Sequence, residues 1–294
     1  PRRFSYNLLV PNPVYAKESG GSRCDSSGGD FRHDAEPDTS HFGRGPLMSK
    51  FSTQQLRNIV LVGHGAVGKT SLADHMLFKA GIGSRAGSVD DGTSQLDVDD
   101  EERQRHFSIS SHMVHFEHHG VRINAIDTPG YPDFVGQAIS ALCAAETALI
   151  VINATAGIEA NTRRTFELAG KAHLARFLVI NKLDAENIDF PGLIASIQEL
   201  FGRTCIPLNV PCGVGHDFHD VASTLQPTAD HADAVLDPIE LGATVMDAIV
   251  EADEELMERY LEGETLAADE VLAGVTKAIA LGTLIPTFCT SAKQ

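Results

Sequence analysis

The sequence is short of cysteine, of basic residues and of long apolar runs, and each shortage excludes something. The five cysteines among 294 residues (Cys24, Cys143, Cys205, Cys212, Cys289) are odd in number and form no C-x-x-C pair. That usage indicates neither a disulfide frame nor a zinc-type spacing, and it fits thiols kept reduced in a cytosol; a cytoplasmic location is expected. Lys and Arg total 23 against 40 Asp and Glu, a formal net charge of -17. Nucleic-acid backbones require clustered cations, so direct DNA binding is not expected, and an RNA-bearing partner must be met through local patches. No apolar run of secretory type opens the chain. The most apolar stretch, 138–157, is broken by Glu146, Thr147 and Asn153 and divides into a helix and a strand, so no membrane contact is expected.

Hydrophobic residues make up 43% of the chain, enough to bury a core through most of its length. Residues 1–50 differ. Ser26-Ser27-Gly28-Gly29-Asp30 and Asp34-Ala35-Glu36-Pro37-Asp38-Thr39-Ser40 are turn and linker chemistry, with no sustained period of 2 or 3.6. A disordered or artefactual extension is expected there, with Met48 as the natural start.

From residue 58 the chain becomes regular. Ile59-Val60-Leu61-Val62 reads as a buried strand. It runs into Gly63-His64-Gly65-Ala66-Val67-Gly68-Lys69-Thr70-Ser71, and a helix over 71–80 follows, stopped by Gly81-Ile82-Gly83. Residues 63–70 fit the phosphate-loop pattern G-x-x-x-x-G-K-[ST]. Successive backbone N–H groups must face one polyanion, and glycine lets the backbone approach it. The helix start adds unpaired N–H groups and a positive dipole end. Lys69 is placed to reach the β- and γ-phosphates, and the Thr70 hydroxyl to ligate Mg²⁺.

Residues 84–106 show no period and many acids, and read as a mobile loop. Strands over 108–119 and 121–127 follow, joined at His119-Gly120. His112, His115, His118 and His119 crowd this hairpin, but period-2 geometry puts His112 and His115 on opposite faces, so a solvated strand is expected. The acidic run 97–102 lacks the alternating ligands of a Ca²⁺ loop and reads as solvated. The second strand ends in Asp127-Thr128-Pro129-Gly130. An aspartate at the end of an apolar strand before a Pro-Gly turn suits the second Mg²⁺ element of a phosphate-loop nucleotidase, with the Gly130 N–H on the γ-phosphate.

A helix over 134–144, a strand over 148–153, a helix over 160–173 and a strand over 176–180 lead into Asn181-Lys182-Leu183-Asp184. This is an N-K-x-D guanine reader. The Asp184 carboxylate can accept two hydrogen bonds from guanine N1–H and the 2-amino group, where adenine offers no donor. The Lys182 stem covers the face of the base, and Asn181 ties this loop to the phosphate loop. A further strand begins near Cys205, and an insertion occupies about 208–283. It holds β-like pieces over 208–210 and 218–221, an acidic helix over 241–260 and another over 269–281, with Met257 and Leu261 expected in the core. Ile285-Pro286-Thr287-Phe288-Cys289 then leads to Ser291-Ala292-Lys293, a loop whose backbone N–H groups suit guanine O6.

On these motifs, with Asp133-Phe134 and Glu251-Ala252-Asp253-Glu254-Glu255-Leu256-Met257-Glu258-Arg259-Tyr260-Leu261-Glu262-Gly263, residues 57–294 resemble the GTP-binding domain of translation elongation factor G. The likeness is closest to that family's divergent elongation-factor-G-like paralogues. The resemblance implies an α/β phosphate-loop NTPase fold, a doubly wound and mostly parallel sheet with an inserted α+β subdomain. It further implies GTP hydrolysis with Mg²⁺ held by Thr70, Ser108 and Asp127, and action on the ribosome through later domains that would follow Gln294. Alternatives are a non-hydrolysing or weakly hydrolysing GTP/GDP switch, or a ribosomal-protection or release-factor-type relative. Three departures matter. The family's D-T-P-G-H ends here in Tyr131, which is neutral at pH 7 and offers no imidazolium. Lys69, Gly130 and Tyr131 thus make up the catalytic group. The family's R-G-I-T-I appears as Arg105-His106-Phe107-Ser108-Ile109, which keeps a hydroxyl. The acid of its phosphate loop is Ala66, which removes a support for a monovalent ion.

The base reader is directly testable. Asp184→Asn is expected to weaken GTP binding and favour xanthosine triphosphate in competition titrations; unchanged GTP affinity would contradict the assignment.

Overall fold

The computed structural model describes residues 50–228, 233–264 and 266–293. The extension expected over 1–50, Met48 included, lies outside them apart from Lys50. The chain runs β1 (Leu56–Gly63), α1 (Lys69–Lys79), α2 (Asp100–Arg105), β2 (His112–His118), β3 (Val121–Asp127), α3 (Val135–Leu142), β4 (Thr147–Asn153), α4 (Ala160–Lys171) and β5 (Ala175–Asn181). It continues with α5 (Phe190–Phe201), β6 (Cys205–Pro207), β7 (Asn209–Cys212), β8 (Asp220–Ser223), α6 (Pro238–Glu251), α7 (Glu254–Leu261), α8 (Ala268–Leu281) and β9 (Ile285–Cys289).

Seven strands form one sheet in the order β2-β3-β1-β4-β5-β9-β6. All neighbours are parallel except the edge pair β2–β3. The central strands are continuous apolar runs because helices cover both faces. Along β4 the side chains alternate. Leu149 and Val151 join one layer with Leu61, Leu72, Leu77 and Phe177, and Ile150 and Ile152 join the other with Val62, Leu142, Phe166 and Ile180. The β1–β3 and β4–β5 registers carry Gly63, Asp127, Asn153 and Asn181 to the same sheet edge. Among the described residues no helix is long and apolar enough to cross a membrane.

Three expectations are corrected. First, the segment 84–106 is not all loop. Asp99 caps α2, and the buried Glu102 accepts hydrogen bonds from the Ile109 and Ser110 amides at 2.8 and 3.0 Å. Asp97 and Glu102 are therefore interior rather than solvated. The same bonds use the backbone of 109–110, so β2 starts at His112 rather than at 108. Second, the acidic helix over 241–260 is two helices. The Asp253 side chain accepts from the Glu255 and Leu256 amides at 3.1 and 3.4 Å, which opens α7 as a new helix. Third, α7 buries none of its residues, and Leu261, expected in the core, is 78% exposed. A further helix, α5, fills the stretch between the N-K-x-D motif and the strand near Cys205, for which no element was expected. Its apolar residues Phe190, Leu193, Ile194 and Ile197 are spaced i, i+3, i+4, i+7 behind the Asp189 cap.

The segment 208–283, expected as an insertion, packs into the main core. Val245 and Ile249 of α6 and Val275 and Ile279 of α8 lie in the same apolar layer as Leu61 and Leu149. The two helices cross at Gly274, where an added Cβ would come within 2.5 Å of the Ile249 Cγ2 methyl. Gly→Ala in a helix ordinarily gains up to about 1 kcal/mol. A branched side chain here must instead displace a β-branched neighbour in a packed layer. Gly274→Val is therefore expected to lower unfolding stability by about 2 kcal/mol in urea titrations. An unchanged midpoint would show that the helices do not pack at this point.

Candidate nucleotide-binding site

The loop between β1 and α1 is shaped by conformations few residues adopt. Gly68 caps α1 at φ +94°, and a Cβ there would strike the Asn181 side chain. Val67 is buried in the core, so it offers the cleft only its backbone. Lys69 is 6% exposed and donates to the His64 carbonyl at 2.7 Å, with the Gly63 carbonyl at 3.4 Å. Burial pushes its ammonium down to about 8, against the opposing pull of Asp127 and Glu159. A phosphate polyanion would restore the charge that burial disfavours.

Three oxygens from three elements meet beside it. The Thr70 hydroxyl lies 2.6 Å from Asp127 Oδ2, to which it donates, and 3.1 Å from Ser108 Oγ. All three residues are buried. Asp127 Oδ1 has no hydrogen-bond partner among the described residues, and burial raises the carboxyl to about 6, with Lys69 and Thr70 opposing. An unpaired buried carboxylate oxygen beside two hydroxyls fits a hard divalent cation with oxygen ligands. The Thr128 hydroxyl donates to the Leu61 carbonyl at 2.7 Å, which fixes the following turn to β1.

That turn presses onto the phosphate loop. A Cβ on Gly130 would collide with the His64 carbonyl, the Gly65 amide and the Lys69 ammonium. Tyr131 lies over Gly65, where an added Cβ would stand 2.9 Å from its ring. The Phe107 ring meets Tyr131 edge-on at 4.9 Å. Thus the position expected to carry a catalytic group holds an aromatic ring packed between the phosphate loop and Phe107.

The base-reading loops are stitched to this frame. Asn181 donates to the Val67 carbonyl at 2.9 Å and accepts from the Ala292 amide at 3.0 Å. Lys182 donates to the Ala66 carbonyl at 2.8 Å; both residues have positive φ, 65° and 57°. The Ser291 hydroxyl donates to Asp184 Oδ1 at 2.7 Å, which aims the carboxylate, and to this hydroxyl the Lys293 amide donates at 3.3 Å. Lys293 reaches Asp90 at 3.4 Å across the cleft mouth.

The residues named from sequence, Gly63 to Ser71, Asp127 to Tyr131, Asn181, Lys182, Asp184, Ser291 to Lys293 and Ser108, stand together at the carboxyl edge of β1, β3, β5 and β9. Gly65, Ala66, Gly68 to Ser71, Thr128, Gly130, Tyr131, Lys182 and Lys293 line the cleft directly. Sequence reasoning missed Val89 and Asp90, which complete the cleft wall, and the start of α4. There Glu159 lies 3.4 Å from His64, and the buried Asn161 donates to the Gly130 carbonyl at 2.6 Å. Nothing in the spacing ties these residues to the loop; only the β1–β4 register does.

A strand-to-helix phosphate loop, a D-T-P-G turn and an N-K-x-D reader on one sheet edge define a guanine-nucleotide-binding protein of the phosphate-loop class. Residues 54–294 match the elongation factor Tu GTP binding domain, and the chain belongs to that family of translational GTPases. It is 31% identical over 249 residues to an elongation factor G-like protein of Thermotoga maritima, covering 81% of this chain and 35% of that protein. A Mycobacterium tuberculosis elongation factor G-like protein is 35% identical over 240 residues, covering 79% and 34%. A crystal structure of a Thermus thermophilus protein superposes with a TM-score of 0.73 at 29% identity, covering 81% of this chain and 38% of that one. The chain thus spans about a third of the length of the curated relatives it matches.

Thr70→Ala removes one of the three converging oxygens. Nucleotide affinity in Mg²⁺ is expected to fall about tenfold, while affinity in EDTA stays near that of the unmutated protein. A variant that keeps its full Mg²⁺ dependence would show that these oxygens do not hold the ion.

Proposed function

We propose that this chain is the GTP-binding domain of an elongation-factor-G-like translational GTPase, hydrolysing GTP to GDP and phosphate in the cytoplasm with ribosomes as partner. We further propose that the domain covers 57–294 with its insertion at about 208–283, and that ribosome contact runs mainly through further domains. The observation that carries this reading is the meeting of Thr70, Ser108 and Asp127 within hydrogen-bond distance beneath a loop whose carbonyls are held by Lys69, Lys182 and Asn181.

In this reading the chain's own groups do most of the work by positioning and electrostatics. Thr70, Ser108 and Asp127 hold Mg²⁺, which neutralises charge on the β- and γ-phosphates when bound. Loop amides from 64–68 and the Lys69 ammonium face the phosphates. Asp184, already oriented by Ser291, accepts from guanine, and Asn181 and Ala292 keep the reader in register with the phosphate loop. The γ-phosphate orders the segments carrying Ser108 and Gly130, and hydrolysis releases them.

Tyr131 supports a second reading, a switch that senses GTP against GDP with little turnover. Its phenol is packed between Gly65 and Phe107 and is no source of a cationic donor. Loss of one well-placed transition-state donor costs about 10²–10³ in rate. GTP turnover measured with and without purified ribosomes separates the two. Strong stimulation by ribosomes is expected; tight GTP binding with no turnover in either condition favours the switch. Tyr131→His is expected to raise turnover about tenfold or more if the tyrosine merely weakens catalysis, and a loss would give the tyrosine a role of its own.

A further inference from the structure

The D-T-P-G turn is gripped from two sides. On one side Gly130 rests against His64, Gly65 and Lys69 of the phosphate loop. On the other, its carbonyl oxygen accepts a 2.6 Å hydrogen bond from the Asn161 carboxamide, which is 6% exposed. Asn161 is the second residue of α4, and its surroundings are rigid. Its own carbonyl accepts from the Thr165 hydroxyl at 2.8 Å, and Thr162 and Thr165 are buried beside it. The same helix end reaches the phosphate loop through Glu159, 3.4 Å from His64.

The peptide bond is planar, so the direction of the Gly130 carbonyl also sets the direction of the Tyr131 N–H and the point from which the Tyr131 side chain leaves the backbone. A buried donor aimed at that carbonyl therefore fixes the residue lying over Gly65 without touching the nucleotide. We infer that Asn161 is a positioning residue for hydrolysis, holding the Gly130–Tyr131 peptide in register with Lys69 while leaving GDP binding to other groups. This rests on the reading of the protein as a GTP-hydrolysing switch.

Asn161→Asp keeps the shape of the side chain but replaces the donor with an oxygen facing the carbonyl. It is expected to slow single-turnover GTP hydrolysis by the whole chain about tenfold or more. GDP affinity should remain within about twofold of the unmutated protein, because Asn161 bonds the Gly130 carbonyl and does not itself line the cleft. Asn161→Gln, which restores a carboxamide, is expected to hydrolyse faster than the Asp variant. It also serves as the test if the Asp variant fails to fold, its rate then being expected between that of the unmutated protein and Asn161→Ala. Hydrolysis by the Asp variant at the unmutated rate would overturn the inference, as would loss of GDP affinity in step with rate. Failure of the underlying reading is seen separately, as guanine-nucleotide binding without hydrolysis in the unmutated protein, and it would remove this inference with it.

Discussion

The shape of the phosphate loop depends in this protein on what holds its carbonyls. Lys69 takes the His64 carbonyl, Lys182 the Ala66 carbonyl and Asn181 the Val67 carbonyl. Two of these donors come from the last residue of β5 and the one after it, more than a hundred residues away in sequence. A hydrogen bond contributes on the order of 1 kcal/mol net, more where the donor is a lysine ammonium, and leaving the buried Val67 carbonyl unpaired costs more than that. The three bonds therefore matter chiefly by making other loop conformations unfavourable. They also tie the loop at 291–293 to the phosphate loop, because the side chain that holds Val67 receives the Ala292 amide.

That arrangement is delivered by the sheet. Parallel neighbours β1, β3, β4, β5 and β9 end at one edge, so loops far apart in sequence arrive within hydrogen-bond reach of each other. Strands buried on both faces resist sliding, since a shift of one residue would exchange the Leu149–Val151 face with the Ile150–Ile152 face. The insertion adds to this stiffness. By burying Val245, Ile249, Val275 and Ile279 in the main layer, it supports the face of the sheet on which α1 also lies.

Much of this was legible in the sequence because the carriers are short and local. Apolar runs at Ile59 to Val62 and Ala148 to Ile152 mark buried strands, and the phosphate-loop, D-T-P-G and N-K-x-D motifs each sit on one strand end. The α5 spacing at Phe190, Leu193, Ile194 and Ile197 is an equally local signal, though no helix was expected there. What escaped depends on tertiary contact. The acids around Asp97 look solvated until Glu102 is seen to bind the backbone at Ile109 and Ser110. Asn161 looks like any helix-start residue until β4 pairs with β1 and brings it to Gly130. Leu261 has helical spacing yet is left exposed, because α7 contributes no buried residue to either layer.

The most direct measurement is equilibrium binding of GDP and ADP to the chain by calorimetry, with Mg²⁺ present. A reader with Asp184 aimed by Ser291 predicts Mg²⁺-supported GDP binding at least about 10³ tighter than ADP. Equal affinity for the two nucleotides, or binding of neither, would contradict the assignment of this edge of the sheet as a guanine-nucleotide site.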